Sequence, residues 1–276
     1  MGRLLHFSDV HFGAEDQAAT AAALEFAHAC PRDLVLVTGD VTQMGYQAEF
    51  EAAAAWLKAM PEPLFVVPGN HDTPYWDLMA RLFWPWRRYE QVIGHPAVDH
   101  AFVAGDLAVR GVNTARAAQA RGNWSKGVID LEQTRRAAAA LEAAPRGALR
   151  IIACHHPLIE MIGAPVTGDV RRGREAALIF AEHGVDLIAT GHVHVPFALP
   201  ITIGDTCSYA VGAGTLSLRV RGVPPGFNVI EWDATDVTVT AQGWTGSRFE
   251  PQRVWNLPRR KSASRQVTPS SALVGS

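Results

Sequence analysis

The chain has 276 residues, 48% of them hydrophobic, enough to bury a large core as one big domain or two small ones. Its 25 Lys and Arg against 27 Asp and Glu leave a net charge of −2, which excludes a basic surface tracking an extended nucleic acid, though not a short nucleic-acid substrate. Three cysteines, Cys30, Cys154 and Cys207, are odd in number and widely spaced, so they argue against a disulfide framework or a cysteine zinc site and read as small buried apolar residues.

The opening residues are already strand-like, without the h-region of a secretory signal. No stretch has the ~18 uninterrupted apolar residues of a spanning helix, so a cytoplasmic location without a membrane span is expected. RLLHFS (3–8), DLVLVTG (33–39) and PLFVVPG (63–69) read as strands, and residues 16–29 and 46–59 as the Ala-rich helices between them. That alternation is the signature of β-α-β units, which bind ligands outside the carboxyl ends of their strands.

Residues 74–95 hold three of the eight tryptophans and read either as a cap segment or, more plainly, as a helix burying an aromatic face. A hairpin follows over 100–113, a helix over 130–143, a strand over 149–157 and a helix over 173–184 closed by Gly184. The apolar run 185–188 leads into ATGHVHVP, and 197–243 reads as a run of antiparallel strands. One domain is therefore expected over 1–256. The Ser- and Arg-rich residues 257–276 read as a disordered tail.

Five turns after apolar runs carry polar residues of one chemical kind. SDVH holds Asp9 and His11, TGDV holds Asp40, PGNHD holds Asn70 and His71, CHHP holds His155, and TGHVH holds His192 and His194. Carboxylate, amide oxygen and imidazole together suit Mn, Fe, Zn or Co rather than calcium or a soft thiolate site. Four histidines, two aspartates and one asparagine are too many ligands for one ion that keeps water, so two ions are expected, with one carboxylate shared. On an extended segment His192 and His194 point the same way, roughly 6.5 Å apart, and could serve adjacent ions.

These motifs resemble those of the calcineurin-like metallophosphoesterases, and within them the bacterial class III cyclic-nucleotide phosphodiesterases, over about residues 3 to 215. The resemblance implies an α/β fold, a four-layer α-β-β-α sandwich of two mixed sheets. It implies that Asp9, His11, Asp40 and His194 hold one metal and Asp40, Asn70, His155 and His192 the other. It further implies a dinuclear phosphodiesterase in which a bridging hydroxide attacks phosphorus in line and His71, as imidazolium, protonates the leaving alkoxide. The first candidate substrate is a 3′,5′-cyclic nucleotide.

One position departs from the pattern: Gln43 stands where many relatives place an aspartate that orients the histidine of GNH. A glutamine accepts a hydrogen bond but cannot stabilise an imidazolium by charge. Gln43 and Asp72 are the expected supporting residues of the site. Met44 and Gly45 fill the place of the arginine found in protein Ser/Thr phosphatases, which disfavours phosphoproteins as substrates.

His156, Glu160, Arg171, Arg172 and Arg174 follow the His155 turn, where a phosphate-facing arginine would be useful, although solvated arginines are the plainer reading. A glycerophosphodiester or a lipid-linked headgroup is the second substrate reading, suggested by the aromatic and basic stretch 75–90. A DNA-repair nuclease would want a basic strand path. A noncatalytic scaffold of this fold would not need every ligand position filled. The expected partner is a small phosphodiester, with a homo-oligomer left open.

Overall fold

Strands β1 (Gly2–Phe7), β2 (Leu34–Thr38) and β3 (Leu64–Val67) alternate with helices α1 (Gln17–Ala29) and α2 (Gln47–Ala59), as the apolar runs predict. Asp16 starts α1 by accepting the Ala19 amide, an N-cap. Two short helices follow, α3 (Leu78–Phe83) and α4 (Arg87–Ile93), where one amphipathic helix is the simpler expectation. Pro85 lies between them and cannot continue a helix. Hairpin β4 (Ala101–Ala104) and β5 (Leu107–Gly111) precedes α5 (Leu131–Glu142), β6 (Leu149–Ala153), α6 (Gly173–Glu182) and β7 (Leu187–Thr190). Five more strands complete the chain: β8 (Phe197–Ile203), β9 (Thr206–Gly212), β10 (Gly226–Trp232), β11 (Asp236–Trp244) and β12 (Phe249–Pro258).

The computed structural model describes residues 1–117, 125–159, 170–203 and 206–259. Its strands form two mixed sheets, β12-β11-β10-β1-β2-β3 and β4-β5-β6-β7-β9-β8. Strand β2 is buried at every position, the mark of a strand covered on both faces. Val35 and Val37 pack with α1 and α2 through Ala23, Phe50 and Trp56. Leu34 and Leu36 face the second sheet, meeting a layer that holds Val109, Ile151 and Leu187. On the far side, Ile152 and Ile188 pack under α5 and α6 through Leu141 and Phe180. Helix, sheet, sheet and helix are thus stacked with three apolar layers between them, each fully buried large side chain contributing about 1.5–3 kcal/mol.

In the last third β8 with β9 and β10 with β11 pair antiparallel as expected, but the run is split between the two sheets. Strand β9 pairs parallel with β7, and β10 crosses to the other sheet to lie antiparallel beside β1. Residues 213–225 make that crossing over the carboxyl ends of both sheets, tied by Ala213 N donating to Thr190 O and Thr215 Oγ1 to Asp9 O.

The fold also extends past residue 256. Leu257 pairs with Val237 and is buried between the sheets, and Arg259 donates to Asp186. Glu160 and residues 260–276 lie outside the described residues. Cys154 is buried as expected, whereas Cys30 and Cys207 are only half-buried. No helix among the described residues is long and apolar enough to cross a membrane.

Candidate metal centre

Asp9, Asp40, Asn70, His155 and His192 stand just beyond the carboxyl ends of β1, β2, β3, β6 and β7, so both sheets deliver their polar turns to one place. Seven non-glycine residues among those described have positive φ, and five are Asp9 (54°), His11 (52°), Asp40 (51°), His192 (68°) and His194 (58°). This left-handed conformation costs about 1–2 kcal/mol per residue. Strain of that kind persists where the surrounding structure enforces it, and it clusters at functional sites.

The same dihedrals correct the expectation that His192 and His194 extend side by side. Because both are left-handed, their rings diverge. His192 lies 5.2 Å from the His155 ring and 4.5 Å from that of His156, while His194 lies 5.1 Å from the His11 ring.

Two groups of donors result. In one, His194 Nε2 is 3.1 Å from Asp9 Oδ1 and 3.2 Å from His11 Nε2. In the other, His155 Nε2 is 3.1 Å from Asp40 Oδ2, and His192 joins through His155. Asp40 Oδ2 also lies 3.9 Å from His11 Nε2, which places Asp40 between the groups. Ligand atoms of Asp9, His11 and His194, and of Asp9, Asp40 and His155, each lie within 4.8 Å of one another.

Main-chain carbonyls orient the imidazoles. His11 Nδ1–H donates to Thr42 O, His155 Nδ1–H to Thr38 O and His194 Nδ1–H to Arg219 O, at 3.2, 2.8 and 2.7 Å. A carbonyl only accepts, so the proton sits on Nδ1 and Nε2 faces the centre. His156 is also drawn in, but its Nδ1 meets Thr114 Oγ1 and its Nε2 donates to Ser125 O. Both of its nitrogens are engaged, so it supports the site from behind.

Burial alone would raise the Asp9 and Asp40 carboxyls, but His194 beside the first and His155 beside the second hold both below the usual range. Burial would lower His155, yet adjacent Asp40 pushes it up to about 9. Burial takes His11 down to about 4, and burial with His156 and His155 nearby takes His192 well below its ordinary value.

Close approach is built into the loops. A Cβ on Gly69 would overlap Asp40 Oδ1, and one on Gly191 would overlap Ser8 Oγ and Asp9 Oδ2. Asp9 Oδ1, Asn70 Oδ1 and His155 Nε2 are buried without a hydrogen-bond partner. Buried carboxylate, amide and imidazole atoms without hydrogen-bond partners are costly in a bare protein, and this donor set fits divalent cations.

His71 lies at the edge of this centre, its ring 4.8 Å from that of His11, and its amide donates to Asp40 Oδ1 at 2.8 Å. Gln43 does orient it, though not as expected from the side chain: His71 Nδ1–H donates to the Gln43 carbonyl at 2.6 Å. The Gln43 side chain instead accepts from Arg219 Nη1 at 3.3 Å, and the same Nη1 stands 3.2 Å from His71 Nε2.

Asp72 clamps the two loops, accepting from Gly69 N, Thr42 N and Thr42 Oγ1. Burial and the charge of Asp40 push its carboxyl up to about 6. Arg171, Arg172 and Arg174 are exposed, so the guanidinium touching His71 comes from Arg219. Sequence reasoning misses that residue because Leu218-Arg219-Val220-Arg221 alternates like an ordinary strand and carries no motif.

The profile of the calcineurin-like phosphoesterases matches residues 2–196. A purple acid phosphatase from yellow lupin seeds superposes with a TM-score of 0.66 at 14% identity, covering 94% of this chain and 54% of that one. This chain thus spans about half the length of the lupin enzyme, and at that identity the likeness is one of fold. A Vps29 variant from Entamoeba histolytica gives 0.47 at 14% identity, covering 94% of this chain and 99% of its own. The NAD nucleotidase of Haemophilus influenzae gives 0.47 at 13%, covering 93% and 50%. No curated protein matches the chain by sequence. With the profile spanning well over half of its residues, the chain belongs to the calcineurin-like phosphoesterase family.

Proposed function

We propose that this protein is a dinuclear metal-dependent phosphodiesterase. What carries the reading is the convergence of buried, unpartnered Asp9, Asn70 and His155 donor atoms with His11 and His194 nitrogens beside His71. Asp9, His11, Asp40 and His194 would hold one cation and Asp40, Asn70, His155 and His192 the other, with Asp40 shared. Bound there, two ions such as Mn, Fe, Zn or Co supply Lewis acidity toward water and phosphoryl oxygens.

The chain's own residues do the rest. His71, fixed at Nδ1 by the Gln43 carbonyl, presents Nε2 for proton transfer to the leaving alkoxide. Arg219 offers a guanidinium at that same nitrogen, placed to take a phosphoryl oxygen by charge-assisted hydrogen bonds. Asp72 keeps the loops of Asp40 and His71 in register.

By resemblance, a 3′,5′-cyclic nucleotide is the first candidate substrate. A lipid-linked or glycerol phosphodiester is the second, favoured by the exposed apolar residues around the centre. Product analysis with Mn-loaded protein on 3′,5′-cAMP, 2′,3′-cAMP, a glycerophosphodiester, bis-p-nitrophenyl phosphate and p-nitrophenyl phosphate tests the reading. Diesters are expected to be cleaved in preference to the monoester; preferential cleavage of the monoester would overturn it.

Gln43→Asp places a carboxylate beside Arg219 and His71 while leaving the orienting carbonyl in place. Turnover of diesters with poor leaving groups is expected to rise, because a negative charge there favours the protonated ring. Unchanged or lower turnover would show that charge at position 43 does not limit proton transfer.

A further inference from the structure

Fourteen large hydrophobic residues are exposed among those described, and ten gather on three adjoining segments: Tyr46, seven between Tyr75 and Trp84, and Leu218 with Val220. Scattered exposed apolar residues need no explanation, but a contiguous patch marks an interaction surface. The turn at 43–46 joins the three. Met44 O accepts from Tyr75 N, Gly45 O from Arg88 Nη1, and Gln43 Oε1 from Arg219 Nη1. The patch therefore forms one rim beside His71.

Helix α3 is amphipathic in the reverse sense for a globular surface. Arg81 is turned inward, 4% exposed, donating to Pro74 O and Ala117 O, while Met79 (63%), Leu82 (54%) and Phe83 (61%) face outward. Asp77 caps it by accepting from Ala80 N. The apolar side chains are thus displayed by a braced element.

Charge on this rim is positive although the whole chain is at −2. Arg87 is exposed, and Arg88, Arg219 and Arg221 lie half-buried around the patch. The acids beside them are fewer: Asp77 at the helix start, Glu90 on the Ala97 amide and Glu49 on the Met44 and Tyr46 amides. A second copy of the chain would set arginines against arginines across an isologous contact. An anionic lipid surface complements both features, with Trp, Phe and Leu at the headgroup boundary and arginines on phosphates.

We propose that this rim docks on the surface of an anionic phospholipid bilayer. Resting on the phosphodiesterase reading above, that orientation hands the metal centre a phosphodiester displayed at the interface.

The test is co-sedimentation of the full chain with vesicles of phosphatidylcholine, with and without added phosphatidylglycerol. Binding to the anionic vesicles is expected to be at least about tenfold tighter than to phosphatidylcholine alone and to weaken with salt. The triple variant Met79→Ser, Leu82→Ser, Phe83→Ser is expected to lose binding while keeping the wild-type circular dichroism melt. Asp40→Ala is expected to sediment with vesicles as the wild type does, so a failure of docking and a failure of the chemistry are read separately. No vesicle binding by the wild type, or undiminished binding by the triple variant, overturns the proposal. So does a dimer in sedimentation velocity that the triple variant dissociates, which would make a second copy the occupant.

Discussion

His71→Ala is expected to retain about two metal ions per chain and to lose about 10²–10⁴-fold in kcat on diesters with alkoxide leaving groups, the usual worth of a positioned general acid. On bis-p-nitrophenyl phosphate the loss should be much smaller, because p-nitrophenolate departs without a proton. The contrast between leaving groups isolates proton transfer from any structural role. Metal analysis beside the two rate measurements checks it. Equal losses on both substrates, or loss of metal, would move His71 from proton donor to support of Asp40, whose Oδ1 accepts the His71 amide.

Asp40→Ala is expected to abolish binding of both ions and to lower turnover by about 10³-fold or more, equivalent to about 4 kcal/mol of transition-state stabilisation. The reason is position: Asp40 Oδ2 lies between His155 Nε2 and His11 Nε2, so both donor groups lose the same carboxylate. The His71 amide also loses its acceptor, which costs about 1–3 kcal/mol if it stays buried. Asp40→Asn keeps the shape and removes the charge, separating these effects. Retention of one tightly held ion in Asp40→Ala would show that the shared ligand is another residue, with Asp9 the next candidate because it lies within reach of His155 as well.

Much of this centre can be read from the chain because its elements are local. A run such as Leu34–Val37 followed by Gly39 and Asp40 encodes a strand covered on both faces and the turn that ends it, the same grammar recurs before Asn70 and His192, and an apolar run without the glycine precedes His155. Residue type supplied the chemistry: carboxylates, an amide and imidazoles without a thiolate.

Other features depend on partners distant in sequence. Strand β10 lies beside β1, more than two hundred residues away, and no local pattern distinguishes that edge from a continuation of the β8–β9 hairpin. The left-handed turns at Asp9, His11, Asp40, His192 and His194 oppose the intrinsic preference of those residues, and hydrogen bonds such as His192 N to Asp9 Oδ2 enforce them. Gln43 looks like a side-chain departure, yet its contact with His71 is through a carbonyl that every residue type possesses. Arg219 reaches the site only because the 213–225 crossing passes over both sheets. Hydrophobic periodicity and turn residues therefore determine the strand ends and the polar residues that follow them, since these depend on neighbours in sequence. Sheet partners, ring orientation and the apolar rim are decided by tertiary packing, because main-chain hydrogen bonds and long-range contacts leave no residue-specific trace.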